Sequence, residues 1–332
     1  MTALALKPQT SRMGVYLEAY LAPLAPWLAD PAVTDLYVNR PGELWVERLG
    51  GTAERVDVPA LDETNLWRLA RQVASLSSQG VSREHPLLSA VLPDGARVQV
   101  VAPPATREGL ALAIRKHVVS DLSLTDYASN GAFAGVMQPK TNSDAILRAF
   151  LNAGDIRNFL AAAVRAGKNI VVSGGTSTGK TTFLNALLKE VPLDQRLVLI
   201  EDAPEIRLVH PNALGLVAVR GDQGEARVTA EDLLQASLRL RPDRIILGEL
   251  RGAEAFSFLR AVSSGHPGSM TTVHADDPAG AVDQLALMAL QAGANLRRAD
   301  VVDHVRRVVD IFVQLHRQNG VRAVREITFQ DR

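Results

Sequence analysis

Eight residues, Gly174-Gly-Thr-Ser-Thr-Gly179-Lys180-Thr181, constrain this chain more than any other stretch. They follow the apolar run Ile170-Val-Val172 and precede a helical pattern over about 180–190, which places a tight loop between a strand and a helix. The spacing G-x-x-x-x-G-K-[ST] in that setting suits a phosphate cradle. Backbone N–H groups of Gly174, Gly175, Thr176, Ser177, Thr178 and Gly179 can turn toward one polyphosphate, and the helix start behind them adds partial positive charge. Lys180 reaches the outer phosphates, the Thr181 hydroxyl can complete a Mg²⁺ shell, and Thr182 is counted with the loop. The expected ligands are ATP and Mg²⁺.

A loop of this kind predicts a parallel sheet around it, and the second half of the chain reads that way. Apolar runs at 197–200, 245–247 and 270–273 alternate with helical segments, including 154–166 and 229–240. Thr229-x-x-Asp232 and Asp277-Pro278 are helix starts, and 308–314 with 321–329 around Asn319-Gly320 form a closing hairpin. The first third is different. Short strands at 33–38, 44–46, 87–92, 97–101 and 110–114 flank turn signals, with helical stripes at 14–28 and 61–76, the latter carrying Leu66, Leu69, Val73 and Leu76. Its 332 residues suit two domains. The expected fold is α/β, with an α+β domain of antiparallel sheet over 1–125, a connection rich in turn formers over 126–142 (Ser129-Asn130-Gly131, Gln138-Pro139), and a P-loop domain over 143–332.

Three segments of the second domain carry polar residues at strand ends. Glu249 closes Ile245-Ile-Leu-Gly248 and is placed to orient a water toward the terminal phosphate. Glu201 and Asp202 close another strand and could hold the waters that Mg²⁺ keeps. His274 ends the segment Gly265-His266-Pro-Gly-Ser-Met-Thr-Thr-Val-His274 and could sense the terminal phosphate. Zinc does not suit this pattern, because there are no cysteines and His266 and His274 flank a strand without metalloprotease spacing.

These segments, in this order, resemble the type II/type IV secretion ATPase superfamily, with its Walker A, Asp box, atypical Walker B (Leu240-Arg-Pro-Asp-Arg-Ile-Ile-Leu-Gly-Glu-Leu-Arg251) and His box. Within it the chain is similar to the VirB-type traffic ATPases, on Leu24-Ala-Pro-Trp27, Val38-Asn-Arg-Pro-Gly-Glu43, Pro93-Asp-Gly-Ala-Arg-Val-Gln99 and Ile114-Arg-Lys116. The resemblance implies a RecA-like second domain and a homohexameric ring with ATP held between the two domains. It implies Glu249 as the water-activating residue, Thr181 on Mg²⁺ with Glu201 and Glu249 supporting it, and Arg97 and Arg115 reaching the terminal phosphate. Arg107 is a further candidate in the adjacent loop. One departure is Ser177-Thr178 where relatives often carry Gly-Ser; a Cβ at 177 is awkward if that position needs a positive φ.

The expected function is an ATP-driven motor for pilus assembly or substrate translocation in type IV secretion. Its partners would be inner-membrane channel components, including other secretion ATPases, and its place the cytoplasmic face of the inner membrane. Pilus extension or retraction, and a nucleotide-gated scaffold with little turnover, are the alternatives. Lys+Arg and Asp+Glu both total 36, so no basic surplus favours direct nucleic-acid binding. No apolar run spans a bilayer and the start, 1–8, does not read as a signal segment; the helix over 14–28 is expected to pack into the core, with peripheral membrane contact there as the alternative.

Overall fold

The computed structural model describes residues 14–117, 123–129, 131–133, 143–219, 224–293 and 296–330. Residues 1–8, Gln138-Pro139 and much of the 126–142 connection lie outside them. The chain divides into two compact units, Met1–Pro103 with Glu108–Val118, and Pro104–Arg107 with Val119–Arg332.

In the first unit, six strands form one antiparallel sheet: β1 (Val33–Val38), β2 (Glu43–Arg48), β3 (Glu54–Asp57), β4 (Leu87–Val91), β5 (Arg97–Val101) and β6 (Ala111–Arg115), ordered β3-β2-β1-β6-β5-β4. The helical stripe at 14–28 is broken into α1 (Val15–Leu21), a 3₁₀ turn (Ala22–Leu24) and α2 (Ala25–Ala29), because Pro23 and Pro26 cannot supply helix-interior N–H donors. Leu17, Leu21 and Leu24 of the segment enter the core while Val15 and Tyr16 stay exposed. Helix α3 (Glu63–Leu76) is capped by Asp62, whose side chain accepts from Asn65 N at 2.7 Å. Leu66, Leu69 and Val73 of its stripe are buried, but Leu76 at the last turn is exposed.

The second unit opens with α4 (Leu124–Ser129), α5 (Ser143–Asn152) and α6 (Ile156–Arg165). Five parallel strands follow in chain order: β7 (Ile170–Gly174), β8 (Leu197–Glu201), β9 (Ala213–Val217), β10 (Arg244–Leu247) and β11 (Met270–Val273). The tail hairpin, β12 (Ile311–Gln318) and β13 (Val321–Phe329), extends the sheet to the order β13-β12-β7-β11-β10-β8-β9, with β12 parallel to β7. Between the strands run α7 (Lys180–Leu188), α8 (Ala230–Ser237), α9 (Glu254–Ser263), α10 (Pro278–Leu290) and α11 (Arg298–Val308). Thr229 and Asp232 form the reciprocal capping box that the sequence signals, and Asp277 caps α10 through Gly280 N at 2.7 Å.

Alternation along the strands fills both faces. Ile170, Val172, Leu197, Leu199 and Ile246 join a core with Phe159 of α6 and Leu184 of α7, while α10 packs on β11 and β12 and α8 on β8. Arg196, Glu201 and Arg244 are among the charges buried here. Arg244 is 1% exposed, yet its guanidinium donates to Val164 O at 2.7 Å and to Gln195 Oε1 at 2.6 Å. Burial pushes its pKa down to about 10, opposed by the neighbouring Asp243. Arg244→Met would strand those buried acceptors, so we expect it to lower stability by roughly 2–4 kcal/mol, read from urea unfolding. A midpoint equal to wild type would mean that the buried charge holds nothing together.

Candidate functional site

The site is built on strand ends. β7 runs fully buried into Gly174, where a Cβ would meet Thr178 Oγ1 at 2.5 Å and Leu315 O at 3.0 Å, so a side chain here would collide with the loop and with β12. The loop then turns, and Gly179, at φ 90°, starts α7. Between them Ser177 sits at φ 61°, the left-handed region in which a Cβ is strained. Removing that Cβ relieves about 1–2 kcal/mol of strain, against about 0.5–1 kcal/mol of extra chain entropy lost by glycine. Ser177 is exposed. We therefore expect Ser177→Gly to fold with unchanged or slightly raised melting temperature. A clear fall would show that the hydroxyl makes a contact worth more than the strain.

Lys180 folds back over the loop, its Nζ donating to Gly174 O at 2.9 Å and Gly175 O at 3.2 Å. Burial lowers its pKa, the Glu249 carboxylate partly offsets this, and the Arg251 guanidinium adds to the lowering. Thr181 Oγ1 donates to Glu205 Oε2 at 3.0 Å. The structure brings Thr176, Ser177, Thr178, Gly179, Lys180, Thr181, Thr182, Glu201, Asp202, Glu249 and His274 around one cleft of about 590 Å³. The strands that deliver the last four, β8, β10 and β11, are consecutive neighbours in the sheet, which is why their ends converge.

Glu249 is held from both sides by backbone. Gly248 N donates to Ile200 O at 2.8 Å, Leu250 N to Thr272 O at 2.9 Å, and Thr272 Oγ1 to Gly248 O at 2.8 Å. Its carboxylate forms an ion pair with Arg251. His274 is exposed at the cleft wall. Below it, Ser173 Oγ donates to Gln314 Oε1 at 2.5 Å and Gln314 Nε2 to Ala275 O at 3.1 Å, a buried polar joint between β7, β12 and the residue after His274. His266 lies elsewhere: its Nδ1 is 2.9 Å from Ala261 O at the end of α9.

Glu201 lines the cleft and also organises the turn behind it. Its buried carboxylate accepts from Glu205 N at 3.0 Å and Ile206 N at 2.8 Å and pairs with Arg107. The acid that touches Thr181 is Glu205, three residues past the acidic pair. Arg107 reaches Glu201 from the loop between β5 and β6. Residues 104–107 lie along the edge of β9, with Val217 N donating to Ala105 O at 2.9 Å and Arg107 N to Gly215 O at 3.1 Å, and its NH1 reaches Ile206 O at 2.6 Å.

In the first unit, Arg97 and Arg115 are directly opposite one another on β5 and β6, and both are exposed. Arg115 pairs with Asp35 at 2.9 Å. Two like charges facing across a strand pair repel unless an anion lies nearby; Asp35 answers that for Arg115.

Three charged cleft residues had no role in the sequence reading: Glu205, Arg251 and Arg322. The first two lie within a few residues of the predicted acids. Arg322 comes from β13, and only the hairpin pairing brings it to the loop.

The family described as "Type II/IV secretion system protein" matches residues 18–319. Type IV secretion system protein VirB11 of Brucella suis is 42% identical over 312 residues, covering 91% of this chain and 85% of the relative. PtlH of Bordetella pertussis, also a type IV secretion system protein, is 39% identical over 322 residues, covering 94% and 93%. The crystal structure of the Brucella suis VirB11 ATPase in complex with sulphate superposes with a TM-score of 0.89 at 40% identity, covering 95% of this chain and 98% of that one.

Proposed function

Because the chain belongs to the type II/IV secretion system protein family, where it is a type IV secretion ATPase, we propose that it is a Mg²⁺-dependent motor. The reading rests on one observation: a P-loop and the polar ends of three adjacent strands share a single cleft. In it, the loop amides and Lys180 bind the phosphates, and Glu249 orients the attacking water. The donor set near Thr181 is a hydroxyl and a carboxylate, oxygen ligands of the hardness Mg²⁺ prefers, so Thr181 with Glu205 would hold it, largely through water. Bound there, Mg²⁺ would neutralise charge on the outer phosphates.

His274, exposed beside Glu249, is the group that would report loss of the terminal phosphate. Arg97 and Arg115 would add a bidentate cationic grip on that phosphate from the first domain, and their proximity on one sheet face supports acting together. ATP and ADP then differ in how strongly they favour a closed domain arrangement, which is what allows hydrolysis to do work. Six copies in a ring, at the cytoplasmic face of the bacterial inner membrane, would pass that motion to channel components for pilus assembly or substrate translocation. Among the described residues no helix is long and apolar enough to cross a membrane, which fits peripheral attachment.

Steady-state phosphate release tests the enzyme, and native mass measurement tests the ring. We expect turnover that chelation of Mg²⁺ abolishes, and a sixfold mass in the presence of ATP. Binding of ATP without release would reduce the protein to a nucleotide-gated scaffold.

A further inference from the structure

Between β8 and β9 the chain has no helix or strand, yet this stretch carries the acid that meets Thr181. Glu205 is exposed and follows Pro204, which has no backbone N–H to give, so no ladder of hydrogen bonds fixes its position. Two buried side chains do so instead. Glu201 Oε1 accepts from Glu205 N at 3.0 Å and Ile206 N at 2.8 Å, and Arg107 Nη1 donates to Ile206 O at 2.6 Å. The N–H and the carbonyl of Ile206 are thus held by the two members of one ion pair. Arg107 and Glu201 are 11% and 3% exposed, so water screens that pair little.

The fold makes room for both side chains. Pro104–Arg107 belong to the second compact unit and lie along β9. Arg107 crosses that strand at Gly215, where a Cβ would come within 2.6 Å of its Cδ. Glu201 passes Gly248, where a Cβ would come within 2.9 Å of its Cγ. A side chain at either glycine would displace one arm of the pair. The guanidinium is suited to the place, because its planar fork serves the carboxylate with one arm and the carbonyl with the other.

Resting on the Mg²⁺-dependent reading above, we propose that Arg107 is a positioning residue for the metal: through Glu201 and the 205–206 peptide it holds Glu205 against Thr181. Without the guanidinium, Glu201 keeps a buried charge with no counter-ion; it turns to water or takes up a proton, and its hold on the peptide weakens. Glu205 then moves freely in solvent, and the oxygen donors for Mg²⁺ lose their fixed spacing. The phosphate loop is built from other residues, so nucleotide binding without metal does not depend on Arg107.

Titration calorimetry on the full-length protein, with ATP in Mg²⁺ or in EDTA, tests this. Wild type is expected to bind ATP more tightly in Mg²⁺. Arg107→Ala should lower affinity in Mg²⁺ by about tenfold or more, as happens when a group that orients a metal ligand is removed, and leave affinity in EDTA unchanged. Arg107→Lys, which keeps the charge but not the fork, should recover part of the loss. Excess Mg²⁺ should return phosphate release by Arg107→Lys to within a few-fold of wild type, so that the metal requirement rises while maximal turnover is kept. In a Glu205→Gln background either substitution should cost little more, because both act through one acid. Melting curves verify folding, and Arg107→Lys carries the comparison if the alanine variant does not fold.

Wild-type affinity in Mg²⁺ for the most severe variant that folds would remove Arg107 from this role. Equal losses in Mg²⁺ and EDTA, or a full loss in the Glu205→Gln background, would reduce it to a structural contact of the turn. Wild type that binds ATP equally well with and without Mg²⁺ is a distinct result, and it would dispose of the metal reading on which the assignment rests.

Discussion

Glu249→Gln is expected to keep ATP binding and to lower Mg²⁺-dependent phosphate release by about 10²–10⁴-fold, the range a general base contributes. The amide keeps the size of the carboxylate and can still accept from Arg251, so the fold around it should survive. The backbone bonds from Gly248 to Ile200 and from Leu250 to Thr272 do not involve the side chain. The variant therefore separates chemistry from architecture. Phosphate release measured beside ATP affinity is the check: turnover within a few-fold of wild type would remove Glu249 from the role of base.

Lys180→Ala should have the opposite pattern, losing affinity as well as turnover. Each hydrogen bond from an ammonium to a phosphate is worth roughly 1.5–3 kcal/mol, so ATP affinity should fall on the order of 10²-fold and hydrolysis to background. Stability should not follow. Because burial lowers the pKa of Lys180, the folded protein holds that proton less tightly than the unfolded chain. The charged side chain thus opposes folding at neutral pH, and its contribution improves only as pH rises through the lowered pKa toward 10.5. Relief of that cost offsets loss of the bonds to Gly174 O and Gly175 O, so the ligand-free variant should melt within a few degrees of wild type at pH 7. A large drop in melting temperature would instead make Lys180 a structural residue of the loop.

Much of this was legible in the residues, for reasons that differ from place to place. The P-loop is readable because its chemistry is local: a strand, six residues and a helix start hold the cradle, with no distant partner needed. Thr229 and Asp277 are readable as caps on the same grounds. The convergence of Glu201, Glu249 and His274 follows from parallel topology, which puts the ends of β8, β10 and β11 on one edge of the sheet. What each group touches there is another matter. Glu201 is taken by Arg107 and two backbone N–H groups, an arrangement that needs residues 104–107 to lie against β9 from far away in the sequence. Glu205, which the sequence did not single out, is the acid that meets Thr181.

Strands were missed where their signals were weak. β3, Glu54-Arg-Val-Asp57, is mostly exposed at a sheet edge and carries charges in place of apolar alternation. β9 contains Gly215, where a Cβ would press on Arg107, and glycine dilutes a strand pattern. Arg322 could not be found from spacing at all, since it lies 141 positions after Thr181 and only hairpin register brings them near.

The pinning of Glu249 limits how the enzyme can signal. An acid whose peptide neighbours are tied to two strands keeps its main chain in place, so the larger movements between empty and loaded fall on longer side chains around it. The long cationic arms of Lys180, Arg251 and Arg322 each have a temporary resting place on a carbonyl or carboxylate. Loading would be a trade of those resting places for phosphate oxygens, with the acid as the fixed post around which they exchange.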